Sequence, residues 1–476
     1  LYFFAILRIF FISAGAANLL QALFFQFFQS SSLSLHPPGF KYVLVINLKD
    51  FDAIRDIANL KNKSLDSNLP LNGIPFAIKD VFNVVEFPTT EGLNINKNSL
   101  PMNNSIFVNR LQKKGAIIIG KTNTSELAIG SHTVNKIFGP TANPYNHSLS
   151  AGGSSGGAAA AVSMNLVPCS DGSDMMGSCR NPAAFTNLYG YRPSPGVIPE
   201  LRENSVFKKM PILSTTGVIA RIPKDLCYYM DCIAGKDEKD ERSADINYSF
   251  LEIDNLEIPK IFKIGWLNNL CEKYNFENEI LSMCHQALKN ISKIEKKIQV
   301  EINNDDLSTD LLWKNWTTIR SKIIYDDLSE SFGDKIEQLS EPAQWEYKNG
   351  ININSDMLGE SLMWVENAQT IISKLFNQYD LLAVPSAQVF PFDKELFSPE
   401  SISGNKVDTY HRWMEITVFA SLFQLPSISI PVGFNKNNLP MGMQLIAPYN
   451  EDAKLLSFAM LYENMFNHCQ NKPKSF

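Results

Sequence analysis

Residues 151–182 read AGGSSGGAAAAVSMNLVPCSDGSDMMGSCRNP, and this stretch carries the strongest structural signal in the chain. It contains two loops of small residues that carry Ser154 and Ser178, and an alanine-rich segment between them. A serine hydroxyl becomes a nucleophile only when a nearby base accepts its proton. Neither loop contains a histidine, so a base for these serines must come from another part of the chain.

A candidate base lies well upstream, in the sequence GIPFAIKD at residues 73–80. The apolar run Ile74–Ile78 is typical of a short buried strand, and Lys79 stands at its end. A lysine in this place is either a surface residue paired with Asp80 or a buried amine whose pKa falls because it loses water. Taken by itself, the segment favours the surface ion pair.

Each serine loop also has a simpler structural interpretation. The glycine-serine loop Gly152–Gly157 is typical of a flexible turn or of a backbone nest that binds anions. It does not fit the nucleophile elbow of the GxSxG type, because residues 143–150 predict a loop where that motif needs a strand. Ser178 could simply cap a helix that begins near Asn181-Pro182. The loops gain a functional meaning only in combination.

The combination of motifs is far more specific than any one of them. A GGSSGG loop, an alanine-rich helix, a strand over Asn165–Cys169 and a G-S-D-x-x-G-S-x-R-x-P loop follow one another, with 24 positions from Ser154 to Ser178. Together with Lys79 in PFAIKD, this order resembles the amidase signature family. The other segments that look like the family are Gly120–Glu126, Phe138-Gly139 with Asn143-Pro144, Gly190–Ser194, Pro431–Gly433 and Leu439–Ile446. The resemblance extends over residues 41–470.

The resemblance implies a catalytic role for three side chains. Ser178 is expected to be the nucleophile, Ser154 a bridging serine on a cis peptide bond, and Lys79 the base. These roles are chemically consistent, since a lysine acts as a base only when it is neutral and desolvation favours the neutral amine. A bridging hydroxyl can accept one proton while it donates another.

The resemblance also implies an oxyanion hole made of backbone N–H groups, here those of Met175, Met176, Gly177 and Ser178. This chain departs from the commonest family pattern, which has Thr or Ile followed by Gly where Met175-Met176 stand. The N–H groups remain, but Met176 would be strained if its position required a positive φ. The two methionines could instead line an apolar pocket for the acyl group.

Three further residues are expected to support the catalytic loops. Ser155 lies beside the bridging serine, and Asp174 and Arg180 match family positions that hold the second loop through charge and hydrogen bonds. Three histidines, His132, His147 and His411, could in principle supply a conventional serine-histidine pair. None of them lies in a motif that requires a histidine, so no catalytic role is predicted for them.

The predicted fold class is α/β, because strand-like and helix-like segments alternate from residue 41 onward. The resemblance implies the amidase signature fold, a single large mixed twisted β-sheet surrounded by helices. We predict an amidase domain over residues 41–476, beginning with a strand at Tyr42–Asn47. Within it, residues 240–380 form a variable and mostly helical region that follows the highly charged segment Gly235–Arg242.

Residues 1–40 form an apolar segment outside the family pattern. Residues 1–28 are rich in Phe and Leu, contain one charged residue, Arg8, and are about long enough to cross a bilayer. Three interpretations remain open: a membrane anchor, a signal peptide with Ala14-Gly15-Ala16 at its cleavage site, and an artefact. A membrane contact is expected only through this segment.

Composition excludes several classes of partner. A net charge of −6 gives no general attraction for nucleic acid, which is bound by clustered Lys and Arg. The seven cysteines form no CxxC pair and have no zinc spacing, so we predict free thiols, a cytoplasmic location, no metal and no cofactor. The expected ligand is a small-molecule amide, and a homodimer is possible.

The sequence therefore predicts an amidase that hydrolyses the C–N bond of a carboxamide to a carboxylate and ammonia or an amine. The predicted route is a Ser-Ser-Lys proton relay with an acyl-enzyme. One alternative is the A subunit of a tRNA-dependent amidotransferase, which releases ammonia from glutamine and needs partner subunits. Another is a catalytically silent family member that acts as a binding protein.

Overall fold

The computed structural model describes residues 69–473, except residue 203, residues 256–260 and residues 305–306, and it describes only the backbone of residues 254, 255 and 469. The apolar segment of residues 1–40 and the predicted strand Tyr42–Asn47 lie outside the described residues. The first strand that the structure describes is Pro75–Lys79, which carries Lys79.

The described residues form strands and helices in alternation. The strands are β1 Pro75–Lys79, β2 Ile117–Thr122, β3 Ala142–Asn143, β4 Asn146–Ser150, β5 Cys169–Asp174, β6 Tyr189–Arg192, β7 Thr215–Ala220, β8 Phe262–Leu267, β9 Ile298–Asn303, β10 Leu381–Pro385, β11 Ser401–Ile402, β12 Asn405–Lys406, β13 Ser427–Phe434 and β14 Pro440–Ile446. The α-helices are α1 Ile106–Lys113, α2 Gly156–Ser163, α3 Arg180–Phe185, α4 Ser205–Lys209, α5 Pro223–Ile233, α6 Asn268–Lys273, α7 Ile280–Ile294, α8 Thr309–Phe332, α9 Glu341–Gly350, α10 Ser355–Gln378, α11 Val418–Leu422 and α12 Asp452–Phe466. Short 3₁₀ helices cover Asn94–Asn96, Glu126–Ala128, Phe250–Asn255, Gly333–Gln338, Arg412–Thr417 and His468–Gln470.

One large sheet contains eight of these strands in the order β5-β7-β6-β13-β14-β10-β8-β9. Neighbouring strands from β5 to β10 pair antiparallel, whereas β10, β8 and β9 pair parallel. The sheet is thus mixed, and helices surround it, which confirms the predicted fold class. Strands β10 and β14 of this sheet are fully buried.

The strand that carries Lys79 belongs to a separate parallel pair, β1 and β2, in which Lys79 lies opposite Thr122. Side chains of β5 connect this pair to the large sheet. The backbone N–H of Lys79 donates to Asp171 Oδ2 at 3.0 Å, and Ser170 Oγ donates to the carbonyl of Ala77 at 3.0 Å. These contacts fix the end of β1 against the strand that leads into the second serine loop.

Helix α2 explains why the alanine-rich segment is needed. All eight of its residues are buried, because small side chains allow the helix backbone to approach its neighbours closely. The N–H of Gly157 donates to the carbonyl of Asn123 at 3.3 Å. A Cβ at Gly157 would lie 2.3 Å from the backbone nitrogen of Asn123, so only glycine fits there.

The strand predicted at Asn165–Cys169 is wrong in its position. Asn165 has φ 59°, and the N–H of Leu166 donates to the carbonyl of Ala161 at 2.9 Å, so this segment closes helix α2. Asparagine tolerates the left-handed conformation that commonly ends a helix. The strand begins only at Cys169 and extends to Asp174, which makes the first half of the predicted loop a part of β5.

Residues 240–380 contribute helices α6–α10 and also strands β8 and β9, which lie at one edge of the large sheet. The assignment of this segment as a variable region stays a prediction. Within the described part of the chain, no helix combines the length and the apolar composition that a membrane crossing requires.

The close contact at Gly157 predicts a strong effect of one added methyl group. We expect Gly157→Ala to lower the free energy of unfolding by about 1–3 kcal/mol, because the methyl group overlaps the backbone of Asn123. Gly359→Ala is the matched control, since Gly359 is an exposed glycine of helix α10 with open space at its Cβ position. This control should gain about 0.5–1 kcal/mol. Chemical denaturation of both variants measures the difference, and equal stabilities would contradict the packing described here.

Candidate active site

Lys79 is completely buried, and its amine is surrounded by hydroxyl groups. Lys79 Nζ lies 2.7 Å from Ser154 Oγ, 2.9 Å from Ser155 Oγ and 2.8 Å from Ser173 Oγ. A hydroxyl both donates and accepts, so three of them can satisfy the ammonium with its three N–H donors and also the neutral amine with its lone pair. The site therefore accommodates both charge states of Lys79.

The surface ion pair that the isolated segment favours is wrong. Asp80 accepts from Lys121 Nζ at 3.1 Å and from the N–H of Thr90 at 3.1 Å, and both charged side chains are buried. Asp80 is paired with Lys121, and the amine of Lys79 has hydroxyl groups rather than a carboxylate as its direct partners in the described structure.

The electrostatic surroundings favour a neutral amine near the upper end of the physiological pH range. Burial lowers the pKa of Lys79 to about 8, and nearby carboxylates, including Asp171 and Asp174, oppose this decrease. An amine with such a pKa is a competent proton acceptor just above neutral pH.

A strand, β4 Asn146–Ser150, directly precedes the loop with Ser154, so the loop predicted over residues 143–150 is wrong there, and contacts with Thr133 hold the Ser154 loop in place. The peptide bond between Gly153 and Ser154 is cis, as the family resemblance implies. Thr133 Oγ1 donates to the carbonyl of Ser154 at 3.1 Å and accepts from the N–H of Gly156 at 2.8 Å. A Cβ at Gly153 would lie 2.8 Å from the backbone of His132, which explains the need for glycine at that position.

Ser178 lies next to these groups but does not cap a helix. Helix α3 begins at Arg180 with Cys179 at its N-cap, so the capping interpretation is wrong. The carbonyl of Ser178 accepts from the N–H of Ser155 at 3.3 Å, which ties the two serine loops together. Ser178 is 7% exposed, and it lines the same cavity as Ser154 and Ser173.

Asp174 and Arg180 hold the second serine loop by a buried ion pair. Arg180 Nε donates to Asp174 Oδ2 at 3.0 Å and Arg180 Nη2 to Asp174 Oδ1 at 2.8 Å, and both side chains are fully buried. Burial alone would raise the pKa of Asp174, but the charge and hydrogen bonds of Arg180 hold it well below its usual range. Arg180 also donates to Gln444 of strand β14 at 2.8 Å. The loop is thus anchored to the large sheet.

One of the four backbone N–H groups predicted for the oxyanion hole already has a hydrogen-bond partner within the loop. The N–H of Gly177 donates to Asp174 Oδ1 at 2.9 Å, so this group already has a partner, and its role in an oxyanion hole stays a prediction. Met175, Met176 and Ser178 line the cavity, and their N–H groups remain candidates. The positive φ of the loop, 84°, falls on Gly177, so Met176 is free of the strain considered above.

The cavity beside Ser178 has a volume of about 190 Å³. Met175, Met176 and Met414 contribute to an apolar wall near the serines. Helix α8 lines the cavity with four side chains at positions i, i+3, i+4 and i+7, which share one face of a helix: Arg320, Ile323, Ile324 and Asp327. The predicted apolar lining by the two methionines is thus present.

Charged side chains also line the cavity. Arg320 forms an ion pair with the fully buried Glu346, and Tyr410 Oη donates to Glu346 Oε1 at 2.7 Å. Asp327 and Glu91 also line the cavity, and burial together with the charge of Asp327 raises the pKa of Glu91 to about 7. Because the positive charge of Arg320 is balanced by Glu346, the two carboxylates give this wall a negative character above neutral pH.

The three histidines differ in their positions. His132 is buried, and its two ring nitrogens contact Ser150 Oγ at 2.6 Å and the carbonyl of Lys394 at 2.7 Å. His147 is exposed. His411 lines the cavity, and burial, Arg320 and Arg412 hold its pKa well below the usual range. Lys79 Nζ contacts Ser154 Oγ directly at 2.7 Å, whereas the ring nitrogens of His132 contact Ser150 and Lys394.

Two contributors to the site were missed from the sequence. Ser173 contacts Lys79 Nζ, and Asp171 contacts the backbone N–H of Lys79. Both lie on β5 two positions apart, so they face the same side of the strand. The strand was predicted a few residues too early, at 165–169, and the alternation that would have indicated these residues was read as loop sequence. Within the described residues, no three His, Cys, Asp or Glu side chains form a group that could hold a metal ion.

Comparison with known proteins agrees with this architecture. A profile of the family described as Amidase matches residues 45–456. Among curated relatives, an acylamidase of Rhodococcus erythropolis is 29% identical over 409 residues, covering 85% of this chain and 83% of the relative. The A subunit of the glutamyl-tRNA(Gln) amidotransferase of Legionella pneumophila (strain Corby) is 32% identical over 429 residues, covering 85% of this chain and 86% of the relative.

Solved structures give the same fold. A bacterial aryl acylamidase of the amidase signature family superimposes with a TM-score of 0.85 at 23% identity, over 98% of this chain and all of the other. The class of protein that these findings define is a hydrolase acting on carbon–nitrogen bonds. The chain belongs to the Amidase family, also called the amidase signature family.

The buried pair of Asp174 and Arg180 predicts a large cost for removing one charge. We expect Asp174→Asn to lower the free energy of unfolding by about 3–5 kcal/mol, because it leaves the Arg180 guanidinium buried without its counter-ion. Asp237→Asn is the matched control, since Asp237 pairs with Arg110 in a partly exposed position. The control should change stability by less than about 1 kcal/mol. Urea unfolding compares the two, and a similar small effect for both would refute the anchoring role.

Proposed function

We propose that this chain is a stand-alone amidase that hydrolyses a small uncharged carboxamide through an acyl-enzyme on Ser178. The observation that carries the proposal is the completely buried amine of Lys79, which lies 2.7 Å from Ser154 Oγ beside the cavity that Ser178 lines. A desolvated amine in contact with a hydroxyl, next to a second hydroxyl open to a cavity, is what a serine nucleophile without histidine requires.

In the first half-reaction, Ser154 transfers a proton to the neutral amine of Lys79 while it accepts the proton of Ser178. Ser178 Oγ forms a bond to the amide carbon, and the carbonyl π electrons move to the oxygen. The N–H groups at 175, 176 and 178 stabilise this oxyanion. When the carbonyl reforms, the C–N bond breaks, and the proton returns from Lys79 through Ser154 to the departing nitrogen. Ammonia or an amine leaves, and an ester on Ser178 remains.

In the second half-reaction, water takes the place of the amine. The relay removes one proton of water as its oxygen attacks the ester carbon, and the same N–H groups hold the second oxyanion. The ester C–O bond then breaks, and Ser178 recovers its proton through Ser154. The carboxylic acid product ionises in solution. Proton transfer by the relay runs in both directions, so Lys79 serves as base and then as acid.

The size and the charge of the cavity support a small uncharged substrate. A cavity of about 150 Å³ is enough to hold benzene, so the cavity of about 190 Å³ suits a molecule with a single ring or a short chain. Glu91 and Asp327 on the wall disfavour an anionic substituent, because like charges at close range repel. The charge of Arg320 offers little compensation, since Glu346 already balances it.

The glutamine-dependent alternative is supported by the amidotransferase A subunits among the relatives. Glutamine carries a carboxylate on the carbon next to its ammonium group. Arg320 is already paired with Glu346, so its charge is not free to hold that carboxylate. The cavity therefore favours the stand-alone amidase.

We also propose a reducing location such as the cytoplasm. The six cysteines with described side chains are all buried free thiols, which persist in a reducing compartment.

The proposed relay predicts distinct effects for its two ends. Ser178→Ala should abolish labelling by a fluorophosphonate probe and lower kcat/KM by at least about 10⁴-fold. Lys79→Ala should retain the fold, label slowly, and lose about 10²–10⁴-fold in kcat/KM, because the base is gone. Lys263→Ala, which removes a lysine from an exposed pair with Glu301, serves as the control and should leave turnover unchanged.

Assays of ammonia release and mass spectrometry of the labelled serine give the readout. Full turnover in the Lys79 variant would contradict the relay. A wild-type protein that is folded but never labels at Ser178 would instead favour the catalytically silent binding protein.

The negative wall of the cavity predicts a preference between two matched substrates. At pH 8, benzamide should be hydrolysed at least about tenfold more efficiently than 4-carbamoylbenzoate, because the added carboxylate faces Glu91 and Asp327. Asp327→Asn should reduce this ratio, whereas Asp326→Asn, which alters the neighbouring partly exposed pair with Lys322, should preserve it. Glutamine is included in the same assay, and its preferential hydrolysis would favour the amidotransferase alternative.

A further inference from the structure

Asp171 is a buried carboxyl group that the proposed relay does not use. It lies on strand β5 and is fully buried. One carboxylate oxygen, Oδ2, accepts from the backbone N–H of Lys79 at 3.0 Å. The other oxygen, Oδ1, has no hydrogen-bond partner among the residues that the structure describes. An unsatisfied buried carboxyl oxygen is costly, so its presence beside the base calls for a reason.

The other charged groups around Lys79 are already neutralised by partners. Asp174 is paired with Arg180 at 2.8 Å and has Arg192 at 3.8 Å. Cys179 also faces the lysine, but burial raises the pKa of its thiol far above neutral pH, so it carries no charge there. Asp171 itself forms no ion pair with any described residue. Its charge therefore acts on Lys79 without a compensating contact.

A second lysine, Lys121, also acts electrostatically on Asp171. Lys121 Nζ lies 3.1 Å from Asp80 Oδ1 and 3.1 Å from Thr89 Oγ1, so its charge is balanced by Asp80. Lys121 and Lys79 both lower the pKa of Asp171, but burial outweighs them and raises it to about 7. Above this pH Asp171 is ionised, in the same range in which Lys79 loses its proton.

We propose that Asp171 is a positioning residue for the base, whose buried carboxylate keeps the amine of Lys79 basic enough to accept the proton from Ser154. This inference rests on the proposed function. Burial alone would make the amine neutral but a weak base, and an unpaired negative charge nearby restores its affinity for a proton. The backbone contact at the end of β1 holds the carboxylate in place for this purpose.

The negative charge of Asp171 determines the direction in which its removal shifts the pH profile of Ser178 labelling. The neutral amine is the active form, so labelling of Ser178 should rise with pH through the pKa of Lys79. In the wild-type protein this limb lies near pH 8. Asp171→Asn removes the negative charge and retains an acceptor for the N–H of Lys79. The ammonium form then loses stabilisation, its pKa falls, and the acidic limb moves to lower pH.

The experiment measures the rate of fluorophosphonate labelling of Ser178 between pH 5 and 10. For Asp171→Asn, we expect the limb to shift by at least about one pH unit toward acid. The plateau rate at high pH should fall several-fold, because a weaker base removes the serine proton less readily. A purely structural role of Asp171 would lower the rate equally at all pH values without moving the limb.

Ser170→Ala is the matched control. Ser170 is the buried neighbour of Asp171 on β5, and its hydroxyl donates to the carbonyl of Ala77, so its loss disturbs the same junction without a change of charge. The limb of this control should stay in place. If Asp171→Asn does not fold, Asp171→Ser removes the same charge with a smaller polar side chain and is measured in its stead.

The outcomes separate the inference from the proposed function. An unshifted limb in the Asp171 variants, with Lys79→Ala still inactive, would overturn the role of Asp171 and leave the relay intact. A wild-type rate that does not depend on pH in this range would overturn the role of Asp171, because no titrating base would then be present for it to tune. An acid shift in the Asp171 variants and none in Ser170→Ala supports the inference.

Discussion

The amine of Lys79 has been withdrawn from water, and the surrounding structure is organised around this constraint. A buried ammonium is strongly disfavoured unless it is hydrogen-bonded and compensated by charge. Here three hydroxyls supply the hydrogen bonds, and burial lowers the pKa of the amine to about 8. The same desolvation that makes the lysine costly to the fold makes its neutral form accessible. The burial of this amine therefore affects both the stability of the fold and the reactivity of the lysine.

Backbone packing makes this arrangement possible. Glycines lie at the contacts between the two serine loops and leave little room for a Cβ, since one at Gly152 would lie 2.9 Å from Pro182 Cα and one at Gly172 would lie 2.9 Å from Ser155 Oγ. The loops can then approach each other closely enough for Ser155 to bond the carbonyl of Ser178. The buried ion pair of Asp174 and Arg180 holds the second serine loop in place. The small residues determine how closely the two serine loops approach each other, and the ion pair keeps the second loop in that position.

The sequence was sufficient to predict the fold class and the grouping of Lys79 with the serine loops, because ordered motifs constrain one another. Predictions from short segments failed where two structures fit the same residues. The segment around Lys79 favoured an ion pair with Asp80, but Asp80 pairs with Lys121. The position of β5 was misjudged because Asn165 ends a helix in a left-handed conformation that apolar periodicity does not show. The bond from Gly177 to Asp174 depends on loop geometry, which no pattern of residue types encodes.

The cavity wall shows why the reaction and the choice of substrate are separable in this fold. The proposed catalytic groups come from β1, β5 and the two serine loops, whose contacts are tight and tolerate little change. Helix α8 contributes one of its faces to the lining of the cavity. Substitutions on that face alter charge and shape without touching the amine of Lys79. A family that keeps the first set of contacts and varies the second can retain one reaction while its members accept different amides.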